Sequence, residues 1–128
     1  MSDTRPVNYE QQIPDVLKAM GGVHTVIDAR GLDRKLRHLI MLRASQINRC
    51  AHCVKMHTRE AREDGESNER LDRVAVFEHV SDFSQAEKAA LAWTEALTSI
   101  DPRTDYAALR GRLRAHFSDS EIGLITAN

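Results

Sequence analysis

"GLDRKLRHLIMLRASQINRCAHCVKMHTREAREDGES", residues 31–67, places two helical patterns back to back around a pair of cysteines. Asp33 is a natural N-cap, because its carboxylate can accept from the free N–H groups of a first helical turn. A helix is expected from there to about Ile47, with Leu32, Leu36, Leu39, Ile40 and Ile47 near one face. Met41 and Leu42 add a second apolar edge, which predicts a helix buried around much of its circumference. The next helix carries both cysteines and runs to about Glu63. Gly65 closes it, since glycine adopts the left-handed C-terminal turn without steric cost.

Outward from this stretch the same signals repeat. Pro14 can open an earlier helix with Val16, Leu17, Met20, Val23 and Val26 along it, weakened internally by Gly21-Gly22. "SNERLDRVAVFEHV", residues 67–80, predicts a short helix. "SQAEKAALAWTEALTSI", residues 84–100, opens with Ser84 and Glu87 in capping-box spacing and is rich in alanine, a strong helix former. Asp101-Pro102 are expected as N-cap and first residue of a helix to about Phe117. Ser118 and Glu121 form a second capping box before a last helix. Glycine and proline fall between these runs, and no repeat interrupts them. The expected class is all-α, a compact bundle of six or seven helices forming one domain over residues 1–128.

Composition narrows the function. Hydrophobic residues make up 41% of the 128 positions, enough for one core, and charged residues 29% with a net charge of −1. That balance gives no reason to expect nucleic acid or a membrane surface as partner. No apolar run approaches a transmembrane length, and "MSDTRPVNYEQQ" has no apolar signal core. A soluble, cytoplasmic protein is expected. No GxGxxG follows a strand, so no nicotinamide or flavin cofactor is expected.

Residues 50–57 hold both cysteines and two of the six histidines. On a helix, Cys50, Cys53 and His57 share one face at i, i+3 and i+7, with Val54 and Ala61 on the same side and His52 roughly opposite. His57 then sits one turn beyond Cys53, where it can exchange a proton with the thiol. Sulfurs in a first helical turn are favoured as thiolates by the helix dipole and the free N–H groups. A thiolate beside a second thiol suits peroxide reduction, one sulfur being oxidised to sulfenic acid and the other condensing with it. Spacing alone also leaves open a metal site and a pair of inert buried thiols. Metal is disfavoured because His52 faces away, leaving three convergent ligands. A purely structural staple is weak, because so short a loop removes little unfolded-state entropy. His24, His79 and His116 are expected in surface or capping roles, Trp93 in core packing, and the charge run "REAREDGESNER" on a solvated helix end.

The stretch quoted first, followed by "FSQAEKAALAWTEALT", resembles the alkylhydroperoxidase D-like core of the carboxymuconolactone decarboxylase family over about residues 31–122. The resemblance joins, in order, the helix before the cysteines, the CxxCxxxH signature and the alanine-tryptophan helix. It implies an all-helical fold assembled as trimers or hexamers. It also implies reduction of a hydroperoxide substrate, with the dithiol regenerated by an external thiol or dithiol reductant. By position, Cys53 would be the peroxidatic thiol, Cys50 the resolving thiol and proton donor, His57 a member of the proton relay and His52 an accessory histidine. Decarboxylating relatives lack the CxxC, so decarboxylation is not implied. The relay of such peroxidases includes a glutamate twelve residues before the first cysteine, and His38 stands there in this chain. His38 lies with Leu42 and Ser45 on a second face of its helix, which could look toward Cys53 and His57. Family members continue past "EIGLITAN" through a longer helix, so the last helix is expected to be cut short at Asn128. The runners-up are a dithiol–disulfide oxidoreductase with little peroxide turnover, and a non-catalytic helical module that binds metal or senses oxidant. The helix of Met41 and Leu42 and that of Trp93 are expected to offer apolar surface for homo-oligomer assembly.

Overall fold

Side-chain caps set most of the helix starts, as the composition of the turns predicts. In the computed structural model, which describes residues 1–128, α1 (Tyr9–Gln12) is a single turn capped by Asn8, and α2 (Pro14–Ala29) begins with its proline at the first helical position. Asp33 caps α3 (Arg34–Ile47) by accepting from the Leu36 N–H at 3.0 Å. Then come α4 (Ala51–Glu63) and α5 (Asn68–Arg73), the latter capped by Ser67. A 3-10 segment, Val74–His79, follows. Complete capping boxes open both α6 (Gln85–Ser99), through Ser84 and Glu87, and α8 (Asp119–Ala127), through Ser118 and Glu121. Between them lies α7 (Tyr106–Arg114).

The all-α class is as expected. Eight α-helices rather than six or seven arise because the polar N-terminus contributes the extra turn α1. The stretch 67–80 is not one helix: regular helix stops at Arg73, which leaves helical geometry (φ −112°, ψ 6°), and a 3-10 segment follows that is itself kinked at Val76 (φ −121°, ψ 27°). The helix expected from Asp101 starts later. The Asp101 carboxylate accepts instead from the backbone N–H and guanidinium of Arg103, and its carbonyl closes a turn with the Thr104 N–H. Asp105 takes the capping role, accepting from the Ala108 N–H at 3.0 Å, and the helix ends at Arg114 rather than Phe117.

The centre of the fold is α3, which packs on both α4 and α6. One apolar cluster joins Leu36 and Ile40 of α3 to Ala89, Ala90 and Trp93 of α6, Leu113 of α7 and Ile125 of α8. Trp93 is buried as expected; its indole N–H donates to Thr126 Oγ1 at 3.0 Å and its ring meets Tyr106 edge-on. The other cluster joins Leu39 and Leu42 of α3 to Ala61 of α4, Leu71 of α5, Leu91 of α6, Phe77 and Phe83. Alternate faces of α3 thus serve different clusters, which accounts for the double apolar edge in its sequence. The charge run after α4 is not simply solvated. Glu66 is buried, and Arg70 binds it at 2.6 Å, pairs with Glu87 of α6, donates to the Asp82 carbonyl at 2.6 Å and lies over the Phe83 ring.

The excess apolar surface is not where the sequence predicts it. Leu42 and Trp93 are buried within the chain, whereas α2 buries only Ile27. Val16, Met20, Val23 and Val26, with Ile13 just before the helix, remain 37–63% exposed. They recur at helical spacing and form one apolar stripe along α2. No helix is long and apolar enough to cross a membrane.

Candidate functional site

The joint between α3 and α4 presents the cysteines. The Cys50 N–H donates to the Ser45 carbonyl and the Arg49 N–H to the Gln46 carbonyl, both at 3.1 Å, which is the pairing that ends a helix through a left-handed residue. That residue is Arg49, at φ 55°, where glycine would be the unstrained choice. The chain then turns straight into α4, with Cys50 as its N-cap. The Cys50 sulfur accepts from the Cys53 N–H at 3.3 Å, in the role usually taken by a serine or aspartate oxygen. Cys50 and Cys53 are joined by a disulfide across a Cα–Cα distance of 5.3 Å, and both are half-buried. Both sulfurs therefore lie at the positive end of α4, which favours a negative charge there once the bond is reduced.

One turn on, His57 is only 8% exposed. Burial, the largest influence, holds its imidazole below the ordinary histidine pKa; Glu60 pulls the other way, and the charges of His38 and His24 add to the lowering. His57 Nδ1 stands 3.5 Å from a Glu60 oxygen but has no aligned hydrogen-bond partner. A histidine kept neutral in this way can accept a proton from a neighbouring thiol near neutral pH. His52 is exposed and on the other side of the helix, as its spacing predicts.

His38 is buried on α3 and faces toward α4, together with buried Leu42 and Ser45. Its Nε2 lies 2.6 Å from Asp64 Oδ2, just past the end of α4. That contact holds the Asp64 carboxyl below the usual range; burial opposes it, and Arg34 at 3.1 Å adds to the lowering. His38 and Asp64 belong to the wall of a polar cleft of about 400 Å³ between α2, α3 and α4. Arg34, Arg37 and Met41 of α3, Glu60 and Glu63 of α4, and His24 and Asp28 of α2 complete the wall. Arg37 is buried there, donating to Asp28 and, at 2.7 Å, to Asn128, with His24 Nδ1 at 3.2 Å.

Sequence spacing thus puts Cys50, Cys53 and His57 on one element, and the packing of α3 on α4 brings His38 against Asp64 at the far end of α4, with its charge acting on His57. Sequence spacing signals neither Asp64 nor the cleft, and His24, expected in a surface or capping role, lines that cleft. Asp64 is 26 residues from His38, so no local spacing pairs them. The Glu66–Arg70 pair, at i and i+4, was open to detection. His79 and His116 are exposed, and neither lines the cleft. No three His, Cys, Asp or Glu side chains are grouped as a metal site.

A cysteine pair capping a helix, with a buried histidine one turn behind, in an all-helical fold, sets the class. The chain belongs to the carboxymuconolactone decarboxylase family, which matches residues 14–96. Among relatives, the uncharacterized protein YdfG of Bacillus subtilis is 32% identical over 90% of this chain and 78% of its own length. The uncharacterized protein YnjA of Escherichia coli is 35% identical over 75% of this chain, which spans only 52% of that protein. Among solved structures, a protein of unknown function from Agrobacterium tumefaciens, suggested to be the antioxidant defence protein AhpD, superposes with a TM-score of 0.86 at 38% identity, covering 94% of this chain and 83% of its own. The debrominase Bmp8 in its apo form shares the fold, with a TM-score of 0.79 at 24% identity over 91% of this chain and 63% of its own.

Proposed function

We propose that this chain is a thiol-dependent peroxidase that reduces hydroperoxides in antioxidant defence by cycling Cys50 and Cys53 between dithiol and disulfide. The observation that carries this reading is the pair itself: two bonded cysteines at the positive end of α4, backed by the buried His57. In the cycle, His57 takes the Cys53 proton and the thiolate attacks the terminal oxygen of the hydroperoxide. The O–O bond breaks, the alcohol leaves with a proton, and Cys53 becomes a sulfenic acid. The Cys50 sulfur then displaces water from it and forms the disulfide. An external thiol or dithiol reductant, oxidised in turn, restores both thiols. His52 is an accessory residue, and His38 acts behind His57. The suggested antioxidant role of the Agrobacterium protein supports the same reading.

The reading includes a cytoplasmic location, where two close thiols stay reduced between cycles. It also includes a homo-oligomer, trimer or hexamer, with the α2 stripe covered by another copy. Intact-mass spectrometry of the reduced protein with one equivalent of hydroperoxide tests the chemistry. Loss of two hydrogens, followed by steady turnover with a dithiol reductant, is expected. Unchanged mass would remove the peroxidase reading. Oxidation without turnover would leave a sensing module, and fast exchange with disulfides alone would leave a dithiol–disulfide oxidoreductase.

A further inference from the structure

We infer that Asp64 and His38 work as one carboxylate–imidazole pair that positions His57 for proton exchange with Cys53, Asp64 being a positioning residue of the site. The inference rests on the dithiol reading above and deepens it. The Asp64 carboxylate at 2.6 Å takes the hydrogen bond from His38 Nε2–H. Such a bond fixes the imidazole tautomer, so the other ring nitrogen carries the lone pair. That nitrogen, His38 Nδ1, is buried and has no partner within the chain. On the facing helix His57 Nδ1 is likewise buried without an aligned hydrogen bond, the Glu60 carboxylate standing 3.5 Å away.

Buried ring nitrogens without partners are rare and unfavourable. One acceptor fixed by Asp64 and one donor-capable nitrogen on α4 are complementary, directly or through one bridging water. When His57 takes the Cys53 proton it becomes cationic. A His38 lone pair steadies that cation, and the Asp64 carboxylate behind it offsets the charge His38 would acquire. A lone imidazole at position 38 would have no such counter-charge. The other titratable or charged groups facing the pair are Arg34 and the buried Arg37 on α3, Glu60 and Glu63 on α4, and His24 and Asp28 on α2. Arg34 lies at 3.1 Å from the same Asp64 oxygen, Oδ2, that His38 contacts, and favours the ionised carboxylate.

Two readouts, neither using a hydroperoxide, test the pair. Nitrogen-15 spectra of the His38 ring should show Nε2 protonated and Nδ1 bare, and Asp64→Asn should abolish that preference. In a reduced Cys50→Ser background, iodoacetamide alkylation of Cys53 should be slowed about three- to tenfold below neutral pH by Asp64→Asn. The double variant His38→Glu with Asp64→Ala puts a carboxylate directly at position 38 and should return the rate to within about twofold of the parent. Circular dichroism of each variant identifies any that fail to fold. An unchanged His38 tautomer and alkylation profile in Asp64→Asn overturns the inference, as does a double variant no faster than Asp64→Asn. If alkylation responds as stated but hydroperoxide leaves Cys53 untouched, the peroxidase reading fails and the pair stands. Oxidation by hydroperoxide with no response to Asp64→Asn is the converse.

Discussion

Reducing the disulfide should leave the protein folded, and the size of the effect separates a working pair from a staple. Cys50 and Cys53 are three positions apart, so the bond closes a four-residue loop. In the chain-entropy account, so short a closure is worth about 2 kcal/mol, against about 3 for a fifteen-residue loop. A domain of this kind has roughly 5–15 kcal/mol in hand, so most of its stability survives reduction. The other supports of α4 do not depend on the bond: Ala61 is fully buried in the second apolar cluster, and α3 packs along the helix. The N-cap also survives, because the Cys50 sulfur can still accept from the Cys53 N–H. Spread over the unfolding entropy of a chain this size, 2 kcal/mol lowers the melting temperature by about 7 °C. Urea titrations with and without a strong dithiol, followed by circular dichroism, measure the difference. Cys50→Ser should melt close to the reduced parent, since a serine oxygen is a good cap, and Cys50→Ala about 1 kcal/mol lower. A reduced protein that is unfolded at room temperature, or a loss beyond about 4 kcal/mol, would show that the bond holds the fold together, contrary to the loop-closure reasoning.

If Cys53 attacks and Cys50 resolves, Cys50→Ser treated with hydroperoxide should give a dimedone adduct at residue 53, whereas Cys53→Ser should give none at residue 50; the opposite labelling reverses the roles. Arg70→Met should cost about 3–5 kcal/mol in urea unfolding at neutral pH, because Glu66, whose side chain is 4% exposed, loses its counter-charge. Burial pushes the Glu87 carboxyl up, but Arg70 and the Ser84 N–H more than reverse this, so its folded pKa is lowered. The stabilisation is then complete above the ordinary carboxylate value of about 4.3 and fades as the pH falls through the lowered one. The gap between parent and Arg70→Met should narrow with it, and a gap constant from neutral to strongly acid pH would contradict the ion-pair account. Light scattering at micromolar concentration should find a trimer or hexamer, and Val16→Glu with Met20→Glu should yield smaller species; a monomeric parent removes the assembly proposal.

What the sequence made legible was local. Pro14, Asp33 and the two capping boxes act on N–H groups within four residues, and each begins a helix where its chemistry says it should. Asp101 and Asp105 show the limit. Both can cap, and the outcome turned on Arg103, which claims the first carboxylate. The amphipathic pattern of α2 marked an apolar face without saying what covers it, and within the chain almost nothing does. In the site, Cys50, Cys53 and His57 follow from helical spacing, whereas Asp64 reaches His38 only because α3 and α4 run side by side.

The left-handed Arg49 bears on how much variation the cysteine turn can tolerate. A side chain at this φ is disfavoured by about 1–2 kcal/mol relative to right-handed backbone, a penalty glycine escapes and asparagine or aspartate partly escape. Arg49 is exposed and makes no side-chain hydrogen bond or ion pair, so its charge compensates little of that strain. Among all substitutions there, glycine should be enriched when folded protein is selected from a library, and valine, isoleucine and threonine should be the first to vanish. The approach to the two sulfurs is therefore the part of α3–α4 where a single codon change can strengthen the fold without touching a residue of the site.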